Sequence, residues 1–215
     1  MIKQILLSMV AVFLFTACSF KMPSFLSFDF FGSTDYTVLL DEANKCQEIE
    51  NEATKLDCYK KIENTNSFAQ IRLGTYWADK KDYKLALKYL NQAKNNDNIY
   101  ANLPLSFLYY KGEGVEKDLN KSFELLQKSS DVDPTSAYQL SRFYLQGINT
   151  KVDNEKGVEL LEFAASQGVL EAQKMLVNTY KNGLFKQPRD QVKVDFWQKK
   201  IKENKEDINR KIYIL

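Results

Sequence analysis

The sequence predicts an all-α protein in which helix hairpins stack side by side into a solenoid. Helix breakers are scarce, with 8 Gly and 4 Pro among 215 residues, which favours helices along the chain. A small residue followed by leucine at i+4 and an aromatic residue at i+8 marks one helix face four times. The pattern starts at Ala69, Ala101, Ser136 and Ala172, with separations of 32, 35 and 36 residues. Repeats of this length are typical of stacked helix pairs.

The N-terminal residues are typical of an exported bacterial protein. Lys3 precedes a largely apolar run over residues 5–15, and Thr16-Ala17-Cys18 follows it. The run is too short and wrongly flanked for a stable membrane span. The residues that end at Cys18 resemble a bacterial lipobox, with Phe15 where Leu is usual. This resemblance implies that residues 1–17 are a signal peptide and that Cys18 carries a lipid. An ordinary signal with a chance cysteine and a retained signal anchor are the alternatives.

Residues 18–37 are predicted to be the lipidated cysteine and a tether of unusual aromatic content. Five phenylalanines lie in it, namely Phe20, Phe25, Phe28, Phe30 and Phe31. Tethers rich in serine or glycine solvate more easily. The phenylalanines are therefore expected to rest in the lipid interface or on the protein. The alternative is that they form a docking segment for a partner.

Residues 38–65 are predicted to form a helical hairpin held by a disulfide between Cys46 and Cys58. With Cys18 lipidated, these two cysteines are an even pair in an exported chain. One continuous helix would hold them about 18 Å apart, which is beyond the reach of a disulfide. The prediction therefore includes a helix break near Asn51. Two free buried thiols are the alternative.

Four repeats are predicted over residues 66–203, each with a second helix. The predicted second helices are Tyr83–Lys94, Leu119–Ser129, Asn154–Ser166 and Val192–Lys202. An aspartate before each is expected to cap it. Gly112, Gly147 and Gly183 are expected to end the first helices of their repeats. Residues 204–215 are predicted to add a C-terminal capping helix.

Two segments of the middle repeats carry a family resemblance. The loop Lys-Gly-Glu-Gly-Val-Glu-Lys-Asp at residues 111–118 and the helix end Ala-Ala-Ser-Gln-Gly at residues 164–168 resemble the Sel-one-like repeat, a relative of the tetratricopeptide repeat. The resemblance covers about residues 67–203 and implies a right-handed α-solenoid. The first repeat lacks the glycine loop and the fourth lacks the Ala-Ala end, so both are interpreted as edge repeats.

Composition argues against several classes of chemistry. The chain has no histidine, which excludes histidine triads, histidine general bases and histidine metal ligands. A net charge of +2 gives no electrostatic reason to expect nucleic-acid binding. Serine motifs of β-lactam enzymes, such as Ser-x-x-Lys, are absent from the sequence. The sequence thus predicts a non-enzymatic protein without cofactor or metal; a cell-wall or β-lactam hydrolase, which the Cys-rich members of the family suggest, is the alternative.

The concave side of the solenoid is predicted to bind a protein. First helices line that side in stacked hairpins, and a mixture of aromatic residues and arginine is typical of interfaces. The candidate partner-binding residues are Ile71, Thr75, Leu103, Phe107, Tyr110, Tyr138, Arg142, Lys174, Asn178 and Lys181. The alternative is that Phe107 and Tyr138 only pack within the solenoid.

Together these observations predict a lipid-anchored periplasmic scaffold or adaptor that binds a protein partner within a cell-envelope assembly. Repeats of this type resemble adaptor subunits of polysaccharide or protein secretion machines. Ser19 follows Cys18 in place of the aspartate that retains lipoproteins in the inner membrane, which favours the outer membrane. A host-contact factor released from the cell is a further alternative.

Overall fold

The computed structural model of the protein describes residues 34–204 and 212–215. The predicted signal peptide, Cys18 and the tether up to residue 33 lie outside the described residues. The described part contains ten α-helices, one 3₁₀ helix and no strand. They are α1 (Thr34–Gln47), α2 (Glu52–Ile62), α3 (Ser67–Asp79), α4 (Tyr83–Asn95), the 3₁₀ helix Ile99–Ala101, α5 (Asn102–Lys111), α6 (Leu119–Ser129), α7 (Pro134–Gln146), α8 (Asn154–Ser166), α9 (Leu170–Asn182) and α10 (Gln191–Glu203). None of these helices has the length and hydrophobicity that a membrane span requires.

Four consecutive hairpins, α3–α4, α5–α6, α7–α8 and α9–α10, make up the solenoid. Their loops close in the same way, because the backbone N–H of the aspartate before each second helix donates to the carbonyl oxygen of the repeat aromatic residue. The pairs are Asp82 with Trp77 (2.9 Å), Asp118 with Tyr109 (2.9 Å), Asp153 with Tyr144 (3.0 Å) and Asp190 with Tyr180 (3.0 Å). The predicted all-α solenoid of stacked hairpins is confirmed, and the fourth hairpin shares the loop geometry of the other three.

The predicted helix caps are also present. Each of these aspartates accepts, through its side chain, the backbone N–H three residues further on, at 2.9–3.1 Å. These bonds satisfy donors that a helix start leaves without an intrahelical partner. The first helices α5, α7 and α9 end at Gly112, Gly147 and Gly183, as predicted, with φ of 77°, 68° and 70°. Glycine is favoured there because this left-handed backbone is strained for other residues.

Small side chains allow the hairpins to pack closely. The four residues at the repeat starts are fully buried, namely Ala69, Ala101, Ser136 and Ala172. A small residue in the second helix also allows close packing, and the contact between α7 and α8 is an example. A Cβ atom added to Gly157 would lie only 2.6 Å from the side chain of Leu145. Because the helix backbones lie this close together, the repeat leucines can fill the remaining space between them at the packing density of a protein interior.

The N-terminal hairpin, α1 and α2, is joined to the solenoid. Residues 48–51 connect its helices, and Asn51 caps α2 by accepting the backbone N–H of Thr54 at 2.9 Å. A disulfide links Cys46 to Cys58 with a Cα–Cα distance of 5.6 Å. Arg72 of α3 is fully buried and donates to the hydroxyl of Tyr59 at 3.0 Å. The hairpin and the first repeat therefore share one core.

The environment of Tyr89 indicates that alkaline pH lowers the stability of this shared core. Its hydroxyl donates to Glu63 at 2.9 Å, and burial together with Glu63 raises the pKa of Tyr89 to about 12. An unfolded tyrosine has a pKa of about 10. The folded state therefore holds this proton more tightly, and the corresponding stability is complete below pH 10 and is lost as the pH rises towards 12. Between pH 9 and 11.5, urea unfolding should show a steeper loss of stability for the parent than for Tyr89→Phe; parallel losses would contradict this assignment.

The range predicted to form a capping helix, residues 204–215, is described only in part, and Ile212 is helical within it. Residues 205–211 of that range lie outside the described residues. Residues 212–215, here named the returning segment, do not extend the stack beyond α10. Ile212 is buried in the core of the N-terminal hairpin and first repeat, and Leu215 packs against the same core. The physical reason is that Ile212, Tyr213 and Leu215 pack in apolar clusters formed by the N-terminal hairpin, the first repeat and the helices α5 to α7.

Candidate functional site

The first helices of the repeats line a common groove. Its larger cavity has a volume of about 280 Å³. The lining residues are Thr75 from α3, Leu103, Pro104 and Phe107 from α5, Thr135, Tyr138 and Gln139 from α7, Glu171 from α9, and Tyr213 from the returning segment. A surface that runs across α3, α5, α7 and α9 can contact a partner along several repeats at once.

A second cavity of about 190 Å³ continues the groove between α5 and α7. Phe107 lines both cavities, and Tyr110, Arg142 and Phe143 line only the second. The ring of Tyr110 meets that of Phe143 edge to face at 5.8 Å, and the Lys117 ammonium group lies 5.9 Å from the Tyr110 ring. Aromatic faces beside cationic side chains form the kind of surface that interface hot spots use.

Six of the ten predicted partner-binding residues line these two cavities, namely Thr75, Leu103, Phe107, Tyr110, Tyr138 and Arg142. Phe107 and Tyr110 are each 37% exposed, so they present aromatic surface to solvent.

The other four predicted residues fall outside the cavities. Lys174, Asn178 and Lys181 are exposed on α9. Ile71 is fully buried, because it belongs to the core that α3 shares with the N-terminal hairpin and the returning segment. Its side chain is therefore part of the core and is not available to a partner.

Asp133 is a buried carboxylate beside the groove. It is the N-cap of α7 and accepts the backbone N–H groups of Thr135 and Ser136, each at 3.1 Å. The Ser136 hydroxyl donates to it at 2.6 Å and the Tyr213 hydroxyl at 2.7 Å. Burial raises the pKa of Asp133, whereas the hydrogen bonds from Ser136 and Tyr213 act in the opposite direction.

The returning segment binds the groove through main chain and side chain together. The Thr75 hydroxyl donates to the carbonyl oxygen of Tyr213 at 2.6 Å, and the Gln47 amide donates to that of Ile214 at 2.9 Å. Burial and the neighbouring Asp133 carboxylate raise the pKa of Tyr213. Tyr213 thus stays protonated and able to donate at neutral pH. Sequence reasoning missed this contact because Tyr213 and Asp133 are 80 residues apart.

The pairing of Ser136 with Asp133 bears on the hydrolase alternative. A serine that donates to a carboxylate meets one requirement of an activated nucleophile. Ser136 is fully buried, however, and the same carboxylate accepts the two N–H groups at the helix start. This geometry is that of a helix cap. Among the described residues, no group of three His, Cys, Asp or Glu side chains could hold a metal ion.

Comparison with known families identifies the repeats. The Sel1 repeat family model matches residues 67–98, 100–132 and 134–169, which correspond to the hairpins α3–α4, α5–α6 and α7–α8. The chain contains three Sel1 repeats. The resemblance inferred from the loop at residues 111–118 is thereby confirmed.

Relatives of this Sel1 repeat protein include one curated protein of known pathway. The alginate biosynthesis protein AlgK of Pseudomonas syringae pv. tomato (strain ATCC BAA-871 / DC3000) is 31% identical over 102 residues. The match covers 47% of this chain and 22% of that protein. The matched residues therefore span only about a fifth of the length of AlgK.

Two crystal structures share the fold. A Sel1 repeat protein from Oxalobacter formigenes aligns with a TM-score of 0.65 at 24% identity, over 82% of this chain and 78% of that chain. A protective antigen present in uropathogenic Escherichia coli strains, which displays an SLR fold, aligns with a TM-score of 0.59 at 26% identity. That second match covers 70% of this chain and 33% of the antigen.

Proposed function

We propose that this Sel1 repeat protein is a scaffold that binds another protein through the groove of its first helices. The observation that carries the proposal is the continuous groove over α3, α5 and α7, with Phe107 and Tyr110 partly exposed at its centre. Large aromatic side chains supply much of the binding energy at protein interfaces. The exposed polar side chains of Lys174, Asn178 and Lys181 would form a solvated rim on α9.

The setting that we propose is the bacterial cell envelope. Cys18 would carry a lipid, and the serine at position 19 favours the outer membrane, facing the periplasm. Residues 19–33 would tether the protein to the membrane, because residues 34–37 of the predicted tether belong to α1. The disulfide between Cys46 and Cys58 suits an oxidising compartment. The relative AlgK, named for alginate biosynthesis, supports an envelope assembly that makes or exports a polysaccharide. The partner would be a protein subunit of that assembly.

Affinity capture from cells tests the groove as the binding surface. In the full chain, Phe107→Ser together with Tyr110→Ser removes two exposed aromatic residues from the groove. Val192→Ser together with Phe196→Ser is the matched control, because both residues are exposed on α10. We expect the groove variant to lose about tenfold or more of a co-purified envelope protein, while the control retains it. Equal recovery with both variants would count against the proposal.

Labelling with palmitate tests the proposed lipid anchor at Cys18. Cys18→Ala should abolish incorporation of radiolabelled palmitate and leave an uncleaved precursor, because a lipoprotein peptidase acts on the lipidated cysteine. Cys46→Ala is a suitable control, since it removes a cysteine that the disulfide occupies and should leave labelling intact. Unchanged labelling of Cys18→Ala would overturn the lipobox assignment.

The protective antigen favours a second candidate, a host-contact factor displayed or released at the cell surface. External protease added to intact cells separates the two. A periplasmic scaffold should survive treatment until the outer membrane is permeabilised, whereas a displayed factor should be digested at once.

A further inference from the structure

The returning segment sits in the groove in the manner of a bound peptide. Its contacts come from elements far away in sequence: Thr75 is 138 residues from Tyr213, and Gln47 is 167 residues from Ile214. Two of its backbone carbonyls accept hydrogen bonds, one from a side chain of α3 in the solenoid and one from a side chain of α1 in the N-terminal hairpin, and the Tyr213 hydroxyl donates to Asp133. Main-chain bonds of this kind provide affinity in peptide recognition, and side-chain pockets provide specificity.

The side chains of the segment define what the site recognises. The carboxylate of Asp133 is buried and therefore requires hydrogen-bond donors. The phenol hydroxyl of Tyr213 supplies one such donor and carries no charge. Ile212 on one side of the tyrosine is buried in the N-terminal core, whereas Ile214 on the other side is 48% exposed. The site therefore selects a tyrosine preceded by an aliphatic residue, and it places little demand on the position that follows.

The segment leaves part of the groove unfilled. The cavity of about 280 Å³ lies beside Tyr213 and continues along Phe107 and Tyr138. The second cavity extends past Tyr110 and Arg142. A longer peptide that presented the same tyrosine could contact these aromatic residues as well, which the short segment of this chain does not cover.

We propose that the groove is a binding site for a partner segment in which a tyrosine follows an aliphatic residue, and that residues 212–215 occupy this site in cis. This proposal rests on the proposed function of the groove and specifies its ligand and its regulation. A segment tethered to its own site has a high effective concentration. The partner affinity is then reduced by the fraction of time for which the site is closed, so only a partner with additional contacts displaces the segment.

Peptide binding to the purified full chain tests the proposal. The probe is a fluorescently labelled peptide of residues 208–215, Ile-Asn-Arg-Lys-Ile-Tyr-Ile-Leu, amidated so that no terminal carboxylate contributes. Fluorescence anisotropy would compare the parent chain with Tyr213→Ala, which frees the site. The exposed Ile214 supplies the control, Ile214→Ala. A second peptide with Phe in place of its Tyr measures the contribution of the hydroxyl.

We expect Tyr213→Ala to bind the probe about tenfold more tightly than the parent does, and Ile214→Ala to match the parent. The Phe peptide should bind Tyr213→Ala about tenfold more weakly than the Tyr peptide, because it leaves Asp133 with one donor fewer. Tyr213→Phe provides a milder release should Tyr213→Ala fold poorly, with an affinity between parent and Tyr213→Ala. Equal binding of the probe by the parent and by folded Tyr213→Ala or Tyr213→Phe would overturn the proposal. Equal binding of the Tyr and Phe peptides by Tyr213→Ala would also overturn it. Affinity capture through Phe107 and Tyr110 could still succeed in that case, so the two failures are distinguishable.

Discussion

Replacing Leu140 with alanine should lower the free energy of unfolding by about 2–4 kcal/mol. Leu140 of α7 is only 2% exposed and packs with Leu103, Leu126, Phe143 and Tyr144. These neighbours come from three successive helices, α5, α6 and α7. A truncation here leaves a cavity between repeats that the surrounding helices cannot fully close, and the lost contacts add to the lost burial.

Urea denaturation followed by circular dichroism measures this effect. Val192→Ala on α10 is the control, since Val192 is 79% exposed and should change stability by no more than about 0.5 kcal/mol. Indistinguishable unfolding of Leu140→Ala and the parent would show that the repeat leucine does not face the interior, and the register of all four hairpins would be wrong with it.

Removing the disulfide should have an effect of similar size. The double variant Cys46→Ala, Cys58→Ala opens a loop with a sequence separation of 12 residues. A cross-link over a loop of this length restricts the unfolded chain and contributes about 2–3 kcal/mol. The hairpin also presents Tyr59 and Asn44 to the buried Arg72, so loosening α1 and α2 should extend into α3.

A reductant provides the internal control for this prediction. Dithiothreitol should lower the urea midpoint of the parent towards that of the double variant and should leave the double variant unchanged. If parent and double variant unfolded at the same urea concentration, the bridge would contribute nothing to stability. A shift of both by dithiothreitol would point to an effect unrelated to this bond.

Local patterns made the repeats predictable. A small residue, a leucine and an aromatic residue at i, i+4 and i+8 lie on one helix face whatever surrounds the helix, and Asp118 or Asp153 caps a helix through a residue three positions away. The predicted bounds of α6 and α8 agree with the structure for the same reason. Three of the hairpins also match the Sel1 repeat.

The returning segment was not predictable by the same means. Its apolar residues at 212–215 follow a charged stretch, and local reasoning could only interpret them as a continuation of the helical stack. Their real partners, Thr75 and Asp133, are 138 and 80 residues away. Contacts at such distances leave no periodic trace in the sequence, and only tertiary packing brings them together.

Tertiary contacts that leave no local sequence signal also explain why Ile71 is buried although the repeat pattern predicted it to line the groove. Its position two residues after Ala69 corresponds to that of Leu103 after Ala101, so the repeat pattern assigned both to the groove. In the first repeat, however, the N-terminal hairpin and the returning segment add a layer over α3. Leu103 lines the groove, but it too is only 3% exposed and packs with the core residue Leu140. The position two residues after the small residue is therefore buried in both repeats.

Site-specific photo-crosslinking in living cells tests the central claim, that the groove contacts a protein partner, most directly. A benzophenone amino acid would replace Phe107 in the groove or, in a parallel strain, Glu159, which is exposed on the second helix of the third repeat. We predict a discrete protein adduct after irradiation from position 107 and none from position 159. The same adducts from both positions, or an adduct from position 159 alone, would contradict the account.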